Sequence, residues 1–268
     1  LIHRVFLSLP AIRLVAMAPI RIALAQTNPI VGDFAGNLDQ IETLCVEAEQ
    51  QRVDLLILGE LALCGYPLGD LSYRRDLVLK SETALETLRE KSKNFPNLTV
   101  LVGYARFATQ TNPSQSSRAI AHNSAAAIRN GELLGVYDKQ LLPNYDVFDD
   151  WRNFVPGDSD LVIDVVGTRV AVRICEDIWG GDKESTEADL VAVLNGSPFT
   201  LNKTAQRIEA ARAFAAGKPI AYANLSGGQD ELVFDGESFV LDAAGNVTYR
   251  AGFDSGLWIA EAGQDFAL

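Results

Sequence analysis

Histidine and cysteine are scarce in this chain. There are two of the former, His3 and His122, and three of the latter, Cys45, Cys64 and Cys175, with no C-x-x-C spacing among them. That argues against a zinc site and a disulfide framework, and so few cysteines suit a reducing cytoplasm. Positive charge is also short, with 23 Lys and Arg against 35 Asp and Glu for a net charge of −12. No basic stripe remains to neutralise phosphates, so nucleic acid and anionic membrane surfaces are poor partners. No apolar run approaches the roughly 20 residues that span a bilayer. Pro/Gly-rich linkers are missing too, and 268 residues with 48% hydrophobic content can bury one large core. Residues 1–16 carry Arg4, Pro10 and Arg13, which break up any signal-peptide apolar region. Met17, the single methionine, reads as the natural start, with residues 1–16 an extension outside the fold and residues 17–268 one domain.

The rest of the chain is rich in short apolar runs that end on charged or reactive residues. Val170-Ala-Val-Arg-Ile-Cys-Glu-Asp-Ile-Trp179 is a strand pattern that stops at a thiol followed by two carboxylates. Most free cysteines are small core hydrophobes. A buried strand, however, gains nothing from two charges at its mouth, because they lose hydration without packing. Val53-Asp-Leu-Leu-Ile-Leu-Gly-Glu60 ends in the same way on a carboxylate. Gly131-Glu-Leu-Leu-Gly-Val-Tyr-Asp-Lys139 brings a lysine to a strand end just before a Pro-Asn turn. Glu60, Lys139 and Cys175 together supply a proton carrier, a cation for an oxyanion and a nucleophile. Cys45, in a helical stretch, and Cys64 are expected to be packing residues.

Periodicity predicts strands at 20–26, 55–58, 99–105, 122–129, 133–137, 161–166, 169–174, 219–224, 231–235 and 238–242. Helices are predicted at 37–52, at 81–93 with Ser81 as its cap, and at 203–216. Turns are expected at Asn130-Gly131 and Gly167-Thr168. This mixture suits an α/β fold with two sheets and outer helices.

Four segments carry a resemblance to a known family. They are Glu60-Leu-Ala-Leu-Cys-Gly-Tyr-Pro67, Lys139-Gln-Leu-Leu-Pro-Asn-Tyr145, Ile174-Cys-Glu-Asp-Ile-Trp179 and Gly227-Gly-Gln-Asp-Glu-Leu-Val-Phe-Asp-Gly236. From Met17 onward the chain resembles the nitrilase, or carbon-nitrogen hydrolase, superfamily, and more narrowly the glutaminase domain of glutamine-dependent NAD synthetases. The resemblance implies an α-β-β-α sandwich of two mixed sheets with helices on the outer faces. It implies a Glu60-Lys139-Cys175 triad that hydrolyses glutamine through a thioester and supplies ammonia for NAD synthesis from nicotinate adenine dinucleotide. It further implies substrate contacts from Tyr145, Ser197 and Lys203, with Tyr66 walling the pocket and Asp150 and Glu176 in support. L-glutamine is the expected small-molecule partner, and no metal or cofactor is expected in this domain. ATP and magnesium would belong to a C-terminal synthetase domain that this chain lacks and would meet in cis or in trans. A homo-oligomer and a cytoplasmic location are implied as well.

Two departures from the family stand out. The carboxylate that orients the lysine is Asp150 in place of the usual Glu, and its shorter reach makes it the weakest piece of the site. Gly59 precedes the glutamate where proline is usual. Leu225-Ser-Gly-Gly-Gln-Asp230 resembles a pyrophosphate-binding loop, but Glu231 and a following strand pattern give it no helix to hold an anion. A free-standing amidase of the same fold and a non-catalytic interaction module remain the alternatives.

Overall fold

Strands that are apolar along their whole length need cover on both faces, and this chain supplies it with two stacked sheets and outer helices. The computed structural model describes residues 20–108 and 119–262. The proposed extension at 1–16, Met17 and His3 lie outside the described residues. In chain order the first half comprises β1 (Ile20–Gln26), α1 (Phe34–Gln50), β2 (Leu55–Ile57), α2 (Arg75–Lys91), β3 (Thr99–Phe107), β4 (Ala121–Arg129) and β5 (Glu132–Asp138). A single helical turn, α3 (Asp150–Asn153), leads to β6 (Val162–Val165), β7 (Thr168–Ile174), β8 (Leu190–Asn195), α4 (Lys203–Ala215) and β9 (Ile220–Asn224). The described chain closes with β10 (Ser226–Gln229), β11 (Leu232–Asp235), β12 (Phe239–Leu241), β13 (Val247–Arg250) and β14 (Gly256–Ala262).

One sheet has the order β14-β1-β2-β3-β4-β5 and the other β13-β12-β9-β8-β7-β6. Each has three parallel strands at its centre, β1-β2-β3 and β7-β8-β9, flanked by antiparallel strands. Inward residues of both sheets form one core, with Ile22, Leu24, Leu55, Ile57 and Leu101 facing Val170, Val172, Ile174, Leu190 and Leu194. Outward residues meet the helices. Ile41, Leu44, Cys45 and Ala48 recur at helical spacing on α1 and bury against Ala23, Leu56 and Val100. Ala211, Phe214 and Ala215 of α4 cover Val191, Val193 and Tyr222. The α-β-β-α sandwich is therefore present.

Three expectations need correction. The second helix starts at Arg75, so Ser81 is no cap; it sits in the buried stripe and its Oγ accepts the N–H of Ala105 at 3.0 Å. The β6–β7 turn is Val166-Gly167, both with positive φ, and Thr168 already belongs to the strand. Strands β8, β10, β13 and β14 are absent from the expected set, although β8 has the same unbroken apolar pattern as β2 and could have been read on that ground. The glycine-rich segment 226–235 is an antiparallel hairpin, Ser226 opposite Asp235, and not a loop opening a helix. Among the described residues no helix is long and apolar enough to cross a membrane.

Arg207 lies in the buried stripe of α4, fully enclosed. It pairs with Asp235 at 2.7 Å and donates to the carbonyl of Ser197 at 2.7 Å and of Pro198 at 3.1 Å. It thereby ties α4, the end of β8 and the β11 strand together. Removing one partner of a buried pair strands the other charge, at a cost of about 3–5 kcal/mol. Arg207→Met should lose about that much in urea unfolding, and Arg207→Met with Asp235→Leu should regain a large part of it. Equal losses in the single and the double variant would show that the carbonyl contacts, not the ion pair, dominate.

Candidate active site

Glu60, Lys139 and Cys175 follow the C-terminal ends of β2, β5 and β7, and the start of β4 and the end of β8 lie beside them. Strand carboxyl ends are where open α/β sheets place ligands. Two glycines permit the crowding there. A Cβ at Gly103 of β3 would stand 2.3 Å from the backbone nitrogen of Leu61 and 2.6 Å from the carbonyl of Gly59, so only glycine lets the Glu60 turn lie on β3. A Cβ at Gly59 would stand 2.3 Å from the Leu225 side chain, which gives the departure from proline a steric reason.

Glu60 is completely buried. Its Oε1 accepts from Lys139 Nζ at 2.7 Å and from Asn123 Nδ2 at 2.7 Å, and its Oε2 accepts the N–H of Gly196 at 3.0 Å. Lys139, equally buried, also donates to Asp150 Oδ2 at 2.6 Å. The concern that an aspartate would fall short is thus overturned, because α3 carries Asp150 inward with its N–H bonded to the Pro143 carbonyl at 3.0 Å. Burial alone would lower the Lys139 ammonium, but Asp150 and Glu60 outweigh it and hold it well above the ordinary lysine range. Burial raises Asp150 despite the opposing pull of Lys139.

Cys175 opens a 3-10 turn with φ +43°, a left-handed conformation that costs an L residue about 1–2 kcal/mol. Asp177 holds that turn. Its Oδ2 accepts the N–H of Ile174 at 3.0 Å and the Tyr137 hydroxyl at 2.9 Å. Its Oδ1 accepts the N–H groups of Gln140 at 3.0 Å and Leu141 at 2.8 Å. One buried carboxylate therefore fastens the residue before the thiol to the residues after Lys139. In the sequence this carboxylate is visible only as part of a charged strand mouth, and Asn123 carries no local signal. Burial, then the charge of Glu60, pushes the Cys175 thiol well above the usual thiol range, with Lys139 pulling the other way. Cys175 therefore holds its proton more tightly than an exposed thiol does.

The other expected site residues are placed as follows. Tyr66 is buried, with its ring against Gly196 and edge-on to Phe234 at 6.0 Å between centroids. Tyr145 is exposed and its hydroxyl donates to Glu176 Oε2 at 2.8 Å, while burial raises the half-buried Glu176 carboxyl against that bond. Ser197 is buried past the end of β8; its N–H donates to Asn224 Oδ1 at 2.9 Å and its Oγ accepts from Arg207 Nε at 3.0 Å. Lys203 begins α4, with Nζ 4.6 Å from the centroid of Trp179, the residue that ends the Cys175 turn. It also lines a cavity of about 340 Å³ with Phe199, Thr200, Asn202 and Ile208. Cys45 is buried under α1 and Cys64 is buried with Leu61 and Tyr66, and burial raises the Cys64 thiol to about 12. Among the described residues no group of three or more His, Cys, Asp and Glu could hold a metal ion.

A two-sheet sandwich with a glutamate, a lysine and a cysteine at adjoining strand ends defines a carbon-nitrogen hydrolase, and the chain belongs to that family, whose model matches residues 21–265. Within it, the chain is 41% identical over 240 residues to the glutamine-dependent NAD(+) synthetase of Thermotoga maritima, across 86% of this chain and 40% of that protein. It is 34% identical to the enzyme of that name from Acinetobacter baylyi, across 88% of this chain and 42% of the other. It therefore spans less than half the length of these relatives. The solved glutamine-dependent NAD+ synthetase of Acinetobacter baumannii superposes with a TM-score of 0.77 at 33% identity, covering 91% of this chain and 45% of that one. An amidase from Nesterenkonia sp. shares the fold end to end, with a TM-score of 0.73 at 24% identity and 94% of each chain covered.

Two outcomes follow from this geometry. Because the folded thiol holds its proton more tightly than an unfolded one, its contribution to stability is complete below the ordinary thiol range and is lost as pH rises through the raised value. The ultraviolet thiolate band should accordingly show no difference between wild type and Cys175→Ser at about pH 8; a clear difference would mean a thiolate at rest. Asp177→Asn sets an NH2 group against backbone donors, and leaving one unsatisfied costs about 1–3 kcal/mol. It should lower the thermal midpoint and cut turnover per folded molecule about tenfold or more, whereas unchanged turnover would show that the turn keeps its shape unaided.

Proposed function

We propose that this chain hydrolyses the side-chain amide of glutamine, with Cys175 as nucleophile, Glu60 as proton carrier and Lys139 as oxyanion donor. The observation that carries the reading is the buried contact of Lys139 with Glu60 at 2.7 Å, with Cys175 in the field of both. In the first step the thiol proton passes to Glu60 as sulfur bonds to the amide carbon. Lys139 and the backbone N–H of Glu176 then hold the tetrahedral oxyanion. The carbon-nitrogen bond breaks, Glu60 returns the proton to the leaving ammonia, and a thioester remains. Water next gives a proton to Glu60 as its oxygen bonds to the carbonyl carbon. The carbon-sulfur bond breaks, the thiol regains its proton and glutamate leaves.

Glutamine, rather than another small amide, is favoured by the identity to glutamine-dependent synthetases over most of this chain. Tyr145, with its hydroxyl on Glu176, stands at the exposed rim where a substrate would enter. Lys203 would take the α-carboxylate as a charge-assisted partner, and Ser197, whose backbone N–H and carbonyl already bond Asn224 and Arg207, would offer its hydroxyl proton. Ammonia would pass to a synthetase domain, in cis or in trans, for the amidation that completes NAD.

The test is intact-protein mass spectrometry after incubation with a diazo-ketone glutamine analogue, joined to ammonia release from L-glutamine. An adduct on Cys175 that glutamine prevents is expected, and Lys139→Ala should lower turnover by about 10²–10³-fold. A substrate panel in which another small amide far outperforms glutamine would overturn the substrate, and an adduct on Cys64 would overturn the site.

A further inference from the structure

Strand β4 reads Ala121-His-Asn-Ser-Ala-Ala-Ala-Ile-Arg129 and is buried along nearly all its length. Asparagine is disfavoured in strands and costly to bury unless it is hydrogen-bonded. Asn123 is nevertheless packed away, opposite Ala105 of β3 and at the sheet end where the catalytic cluster lies. Its side chain donates from Nδ2 to Glu60 Oε1 at 2.7 Å, and its Oδ1 has no partner among the described residues. The packing of β4 therefore makes no use of this amide; its one side-chain bond points at Glu60. Its backbone carbonyl accepts the N–H of Lys139 at 2.9 Å, so the same residue also fixes where the lysine leaves β5.

We infer that Asn123 is a positioning residue for proton transfer: it saturates Oε1 of Glu60 together with Lys139 and leaves Oε2 as the oxygen that receives the proton. A carboxylate oxygen offers about two lone-pair sites. Oε1 fills both with Lys139 and Asn123, whereas Oε2 accepts the Gly196 N–H at 3.0 Å and keeps one. A proton arriving at Oε1 would have to displace a donor, and one arriving at Oε2 would not. The donor is also neutral. A second cation here would bind the carboxylate too firmly for it to take up and give back a proton, while an amide steers it without adding charge.

The inference rests on Glu60 acting as proton carrier for Cys175, and the test separates the two. Alkylation of Cys175 by iodoacetamide is followed by intact mass spectrometry as a function of pH in wild type, Asn123→Asp, Asn123→Ala and Glu60→Gln, with thermal midpoints for each. The wild-type rate should fall on an acid limb that Glu60→Gln abolishes. Asn123→Ala should move that limb up by about one pH unit, and the isosteric Asn123→Asp should move it further, because a carboxylate then faces a carboxylate. Limbs that coincide with wild type in either folded variant, whatever the loss of thermal midpoint, would overturn the positioning role alone. A wild type with no acid limb would overturn it together with the proton-carrier reading, and glutamine hydrolysis is scored separately.

Discussion

A single buried ammonium holds this site together. Lys139 lies between Glu60 and Asp150 at 2.7 and 2.6 Å, with all three side chains withdrawn from water. Taking such charges out of water costs several kcal/mol per ion, repaid only by close contacts and by further donors on the remaining lone pairs. Those donors are supplied from the backbone and from Asn123, and each comes from a different strand end. The sandwich must close before the cluster can form, since Glu60 takes its donors from Asn123, Lys139 and Gly196 at separations of 63, 79 and 136 residues. Catalytic geometry here is a property of the sheet packing.

That dependence sets what the sequence could reveal. Cys175, Glu60 and Lys139 were legible because each ends an apolar strand run on a residue that packing alone does not explain. The strand edges around them were legible too, as was the Asn130-Gly131 turn, where both residues have positive φ. Asp150 was misjudged because side-chain length was weighed without the backbone that carries it, and α3 supplies the missing reach. Ser81 has the composition of a cap but the position of a buried stripe residue, and a cap preference of about 1 kcal/mol cannot override the burial of a helix face. Apart from the Ile174 N–H three residues before Asp177, the side chains of Asp177 and Asn123 work through partners 36 to 63 residues away, so little that is local to either marks its role.

Asp177 and Asn123 also divide the work of support in a physically sensible way. The turn at Cys175 has a strained backbone, and the remedy is a charged acceptor that takes four donors and ties two strand ends together. As the proposed proton carrier Glu60 would change protonation state during turnover, and its neutral donor Asn123 would not lock it into one state. A carboxylate in the first role and an amide in the second are not interchangeable. The proposed roles would call for rigidity at the Cys175 backbone and adjustable charge at Glu60.

The charge count around the thiol has a chemical consequence. Burial, Glu60, Glu176 and Asp150 all push the Cys175 thiol up and Lys139 alone opposes them, so acids outnumber the ammonium around it. An excess of acids disfavours a standing thiolate, and burial adds to the effect. It would instead favour a transition state in which the proton has already moved toward the departing nitrogen. On the proposed reading Lys139 would meanwhile meet the developing oxyanion, so opposite charges would appear at opposite ends of the breaking amide where opposite fields await them. A site built around a thiolate would need the reverse balance, with cations in excess. The arrangement thus suits an amide, whose poor leaving group must be protonated as it goes, better than an ester or thioester, which needs no such help.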